Sequence, residues 1–81
     1  MGKVAVLFKV YAEEGKADEV AAKIRAELMP HGLQLEEIGF GIKIIKVQFI
    51  YEDEQGSSKI EESIRKVQGV TEVEVMEETL I

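Results

Sequence analysis

Residues 3–11, KVAVLFKVY, place Val4, Val6, Phe8 and Val10 at alternate positions, with Ala5, Leu7, Lys9 and Tyr11 between them. A period of two rich in β-branched residues predicts a strand with one buried face. The next segment supplies Gly15 as a turn residue, then Asp18 and Glu19 where a helix N-terminus favours negative charge. Ala17, Val20, Ala21, Ile24 and Leu28 follow at helical spacing, one apolar stripe on a polar helix. Pro30 should stop that helix and Gly32 release the chain.

Residues 33–38 alternate as a short strand and 42–52 as a longer one. In the longer strand Ile45, Val47, Phe49 and Tyr51 share a face, with Lys43 at its start; Ile42, Ile44 and Ile50 share the other with Lys46 and Gln48. The run Glu52-Asp53-Glu54 and the following QGSS predict a loop. Ser58 with Glu61 reads as a capping box opening a helix whose inner residues are Ile60, Ile64 and Val67. Gly69 should end it, and VTEVEVM predicts a last strand with Val73 and Val75 inward. The order strand, helix, strand, strand, helix, strand, joined by right-handed crossovers, gives an α+β fold. It is the ferredoxin-like βαββαβ sandwich, a four-stranded antiparallel sheet with two helices on one face. The other face is partly apolar through Leu7 and Tyr11, with Ile42 and Ile44 as further candidates, which suits a partner or self-association.

Composition then removes several classes of function. Eighty-one residues predict one domain, with 46% hydrophobic and 32% charged residues as in globular proteins. There is no cysteine, so no disulfide, thiolate metal site or cysteine nucleophile, and a heavy-metal carrier lacks its Cys-x-x-Cys. No apolar run approaches the length of a membrane span, and MGKVAVLFKVY is too short and interrupted for a signal peptide, so a cytoplasmic protein is expected. A net charge of −6 argues against phosphate backbones and anionic membranes as partners. His31 is the only histidine and sits in a predicted turn without a second ligand. The acidic loop lacks the alternating ligand pattern of a calcium site, and neither Glu61-Glu62 nor Glu77-Glu78 forms an assignable acid–base pair. RNA recognition on this fold would need Phe8 or Phe49 exposed, yet both fall among the core-facing residues.

Gly39-Phe40-Gly41 is left unabsorbed. Glycine on both sides of a phenylalanine costs stability unless the backbone needs an unusual conformation or a close approach. From the residues alone, Phe40 is either a plug at the core's edge or an aromatic anchor for a partner.

The run Ile38-Gly39-Phe40-Gly41-Ile42-Lys43, followed by an alternating strand, Tyr51-Glu52-Asp53-Glu54, a short helix and a last strand, resembles the guanine-nucleotide-exchange domain family of translation elongation factor 1-beta. The small size, the opening MGKVAVLFKVYAEEG and the ending IRKVQGVTEVEV are similar to its archaeal form, so the likeness spans the chain as a single exchange domain, residues 1–81. It implies binding to the GTPase elongation factor 1-alpha and faster release of GDP, with no bond-making chemistry and no cofactor or metal of its own. The expected state is a monomer or a weakly self-associating one. By the same resemblance Phe40 is an anchor docked away from the nucleotide, Gly39 and Gly41 allow its approach, and Ile42 and Lys43 adjoin it. The C-terminal end approaches the nucleotide and magnesium. Eukaryotic relatives carry a lysine next to the last residue, whereas this chain ends Glu77-Glu78-Thr79-Leu80-Ile81. Its action is therefore expected to be steric through Leu80 and Ile81, with electrostatic competition from Glu77 and Glu78 as the other route. The contrasting possibilities are a module resembling the amino-acid-sensing ACT domains and a domain whose open sheet face pairs with itself.

Overall fold

The computed structural model describes residues 2–52 and 56–81. Its elements run β1 (Lys3–Ala12), α1 (Ala17–Leu28), β2 (Gly32–Gly39), β3 (Ile42–Glu52), α2 (Ser57–Arg65) and β4 (Val70–Leu80). The strands form one antiparallel sheet in the order β2-β3-β1-β4, so the expected ferredoxin-like fold is the one observed. Because β1 lies inside, it pairs with β3 from Lys3↔Glu52 to Val10↔Ile45 and with β4 from Val4↔Leu80 to Ala12↔Val70.

The alternation read in β1 and β3 appears as burial. Val4, Val6, Phe8 and Val10 pack with Ile45, Val47, Phe49 and Tyr51 beneath Val20, Ala21 and Ile24 of α1 and Ile64 of α2. Phe8 and Phe49 meet edge to face, ring centres 6.0 Å apart, an arrangement worth about 0.5–1.5 kcal/mol beyond area burial. Both aromatics expected in the core are there.

On the open face, Ile44 is buried although it stands outside the core cluster. The Lys46 ammonium reaches Glu36 across the β2–β3 ladder at 2.8 Å, and Lys9 lies 6.0 Å from the Tyr11 ring centre. Long charged side chains thus lie over this face along their apolar stems. It is less apolar to a partner than the sequence suggested.

The helix ends differ in detail from the expectation. Leu28 closes α1 and Met29, driven out of the right-handed region by Pro30, takes a left-handed conformation at φ 46°. In α2 the N-cap is Gly56, without a side-chain capping bond, so Ser58 lies inside the helix and the capping box does not form. Glu61 instead binds Arg65 at 2.9 Å, and Arg65 donates to the Val73 carbonyl at 3.1 Å, tying α2 to β4. Of the predicted acidic loop, Glu52 ends β3, and Asp53 and Glu54 lie outside the described residues.

Gly69 does not end α2 directly; it stands four residues past Arg65, just before β4. Its φ of +99° and a Cβ position only 2.7 Å from Val20 Cγ2 exclude any side chain, and its carbonyl accepts the Glu13 N–H at 2.9 Å. Gly69→Ala combines left-handed strain with overpacking against the core, and should lose about 2–4 kcal/mol in urea unfolding. A second expectation concerns pH. The hydrogen bond from Lys46, then its charge, hold the Glu36 carboxyl below its ordinary value. A carboxylate depressed in the folded state stabilises above its unfolded value, and this support disappears as the pH falls through the lowered folded one. Glu36→Gln should therefore reduce the melting temperature slightly at neutral pH and narrow its gap to wild type under acid conditions.

Candidate functional site

The reversal between β2 and β3 is two residues long, because Gly39 pairs with Ile42. Strands with right-handed twist are joined best by a two-residue turn in which both central residues have positive φ. Phe40 and Gly41 supply φ values of 54° and 75°, and Gly39 before them stands at 118°. Three successive residues are thus left of zero in handedness, and only one of them bears a side chain. Glycine accepts this region freely, whereas a residue with a Cβ gives up roughly 1–2 kcal/mol there. A Cβ at Gly39 or Gly41 would meet no atom within 4 Å, so conformation rather than crowding dictates these glycines.

Nothing in the fold recovers the cost at Phe40. Its relative exposure is 104%, so its ring gains no burial against the described residues. The core-plug reading is excluded. Ile38, the extra residue of a β-bulge between Glu37 and Gly39, and Ile42 flank it at 56% and 53% exposure. Together they make an apolar tip on a charged molecule. The strain is held in an aromatic residue that is fully exposed.

Beside the tip, topology brings in a segment that the sequence reading treated only as a turn. β3 begins where β1 ends, so Phe40, Gly41 and Ile42 face Glu13 and Glu14 across a cleft of about 380 Å³. The Lys43 ammonium spans its floor to Asp18, on the first turn of α1, at 3.2 Å. Lys43 is therefore close to Phe40, and its charge is shared with a carboxylate. The pair is exposed and contributes little to stability. No residue spacing in the sequence announces this cleft; it follows from the strand order.

Leu80 and Ile81 lie elsewhere. Leu80 pairs with Val4, the Ile81 N–H donates to the Lys3 carbonyl at 2.8 Å, and both side chains are exposed. This is the far end of β1 from the hairpin. Val4 to Val10 alone spans about 20 Å, in a molecule whose longest dimension is 42 Å. The residues singled out in the sequence thus form two groups at opposite ends, Gly39 to Lys43 at one and Leu80 with Ile81 at the other.

β4 is also longer than expected. Glu77, Glu78 and Thr79 continue it, after a bulge at Met76 between the Val75↔Phe8 and Glu77↔Leu7 pairs. Val75 points inward opposite Phe8 as expected, yet remains 42% exposed at the sheet's edge. Among the described residues there is no cluster of three or more potential metal-ligating side chains, and no helix long and apolar enough to cross a membrane.

Residues 4–81 match the model of the EF-1 guanine nucleotide exchange domain. The chain is similar to elongation factor 1-beta of Methanoculleus marisnigri, with 33% identity over 84 positions covering 100% of both chains. It is 37% identical to that of Methanosphaerula palustris over 99% of each, and 33% identical to that of Aeropyrum pernix over 93% of this chain and 92% of the other. Among solved structures, the ACT domain from GTP pyrophosphokinase of Chlorobium tepidum superposes with a TM-score of 0.67. It covers 91% of this chain and 86% of that one at 15% identity, a likeness of fold alone. The match over residues 4–81 and the kinship across the whole length of both chains agree: the chain belongs to the EF-1 guanine nucleotide exchange domain family.

Proposed function

We propose that this chain binds the translation GTPase elongation factor 1-alpha and accelerates GDP release, so that GTP can load and polypeptide elongation continue. The observation that carries the reading is Phe40, fully exposed at a positive φ on a hairpin tip. It serves as the anchor, entering an apolar pocket of the GTPase, with Gly39, Gly41, Ile42 and Lys43 around it. Leu80 and Ile81 act at the other end, as a steric wedge beside the nucleotide.

Exchange needs no bond to be made or broken in the factor. A factor that weakens the GTPase's hold on nucleotide is itself bound less tightly by the nucleotide-loaded form, with the same coupling free energy in both directions. Two contact regions at opposite ends suit that task. An anchor remote from the nucleotide supplies affinity whatever the nucleotide state, while the far end applies the strain that GDP must oppose. We further propose that residues 1–81 work as one unit, monomeric or weakly self-associating when free. The amino-acid-sensing alternative is supported by the shared fold alone, and fold does not assign function.

The test is release of a fluorescent GDP analogue from an archaeal elongation factor 1-alpha with substoichiometric factor. Wild type should accelerate release catalytically. Phe40→Ala should raise the concentration needed for half-maximal effect by about 30-fold or more, as for loss of an aromatic hot spot of roughly 2 kcal/mol. Equal behaviour of the two would remove the anchor role, and an inert wild type would remove the function.

A further inference from the structure

The alternation of β4 changes phase at Met76. Upstream, Val73 and Val75 pair with Val10 and Phe8 on the helix-covered face. Uninterrupted alternation would carry Glu77 and Thr79 to that face and turn Glu78 and Leu80 away. The bulge reverses this: Glu77 pairs with Leu7, Glu78 with the buried Val6, and Leu80 with the buried Val4. Directly opposed residues of an antiparallel pair share a face, so Glu78 and Leu80 are turned toward the helix side.

Glu78 is exposed at the edge of that face, and one of its partners lies on β3. Tyr51 of β3 pairs with Val4, is 6% exposed, and donates from its hydroxyl to Glu78 Oε2 at 2.9 Å. The bond starts on β3, passes over the central strand β1 and ends on β4. It therefore fixes the last residues of an edge strand relative to the middle of the sheet, two residues ahead of Leu80 and three ahead of Ile81. Edge strands have a partner on one side only, and their ends fray unless something else restrains them.

We propose that Tyr51 and Glu78 are positioning residues for nucleotide release: a clamp across β1 that holds the end of β4 in the phase set by the Met76 bulge. The clamp presents Leu80 and Ile81 in one orientation to the GTPase. It rests on the reading that this end acts beside the nucleotide, and it assigns Glu78 a role as hydrogen-bond acceptor rather than as a charge aimed at the partner.

The two roles separate experimentally. Glutamine keeps an acceptor oxygen without the charge, whereas alanine keeps neither. Tyr51→Phe and Glu78→Ala should each lower the maximal rate of GDP release about fivefold, the scale of one hydrogen bond, with KM for the GTPase within twofold of wild type. Glu78→Gln should restore the rate to near wild type. The Ile81 amide, bonded to Lys3, should lose protection from hydrogen exchange about fivefold in the two clamp-breaking variants and not in the glutamine variant. Tyr51→Phe removes one hydroxyl and keeps the ring in place, and Glu78 is exposed to water, so folding should survive. Wild-type rates in both clamp-breaking variants would overturn the proposal. So would a glutamine variant as slow as the alanine one, which would mean that the charge itself acts. Should wild type fail to release GDP, the functional reading falls, and Ile81 protection in the free protein decides the clamp alone.

Discussion

A two-residue reversal between right-twisted strands admits only backbone at positive φ, and in this chain an aromatic residue occupies the first of its two places. Asparagine or glycine would form the same turn with less strain. The fold gains nothing from the ring, which touches no core residue and is wholly exposed. Met29 shares the positive φ, but there it forms the left-handed C-cap of α1, whereas at Phe40 the turn would accept a residue with less strain. The bulge at Ile38, the paired glycines and the exposed Ile42 follow from it, since each helps bring a bare aromatic to the end of the molecule.

β1 joins that end to the other. It is flanked on both sides by strands, its inner residues form the centre of the core, and its two ends set the positions of the cleft and of Leu80. Pairing on both sides of this strand keeps the hairpin tip and the end of β4 at a fixed separation. A packed sheet transmits position well because its interior is dense and resists deformation. The long side chains over the open face and the acidic residues along β4 discourage pairing with other sheets.

The fold was legible because its information is periodic. Alternation in β1 and β3 identified the core face residue by residue, and the apolar stripe at Val20 and Ile24 identified α1. What failed was local. Ser58 looked like a cap, but the glycine at position 56 starts the helix two residues sooner. The last part of β4 was missed because Glu77-Glu78-Thr79 has little intrinsic preference for a strand, and its pairing with β1 is a tertiary effect. In the site, the two glycines exposed Phe40 as unusual, and family resemblance gave it a partner. Glu13, Glu14 and Asp18 carried no such signal; they reach the cleft only through the strand order.

If Phe40 is kept for binding and against stability, the two properties must move in opposite directions when it is replaced by a residue suited to the turn. The direct measurement is Phe40→Asn, followed in parallel by urea unfolding and by GDP release from elongation factor 1-alpha. Stability should rise by about 0.5–1.5 kcal/mol as left-handed strain is relieved, while nucleotide release falls steeply. A variant that is less stable than wild type, or one that is more stable and equally active, would contradict the functional origin of the strain.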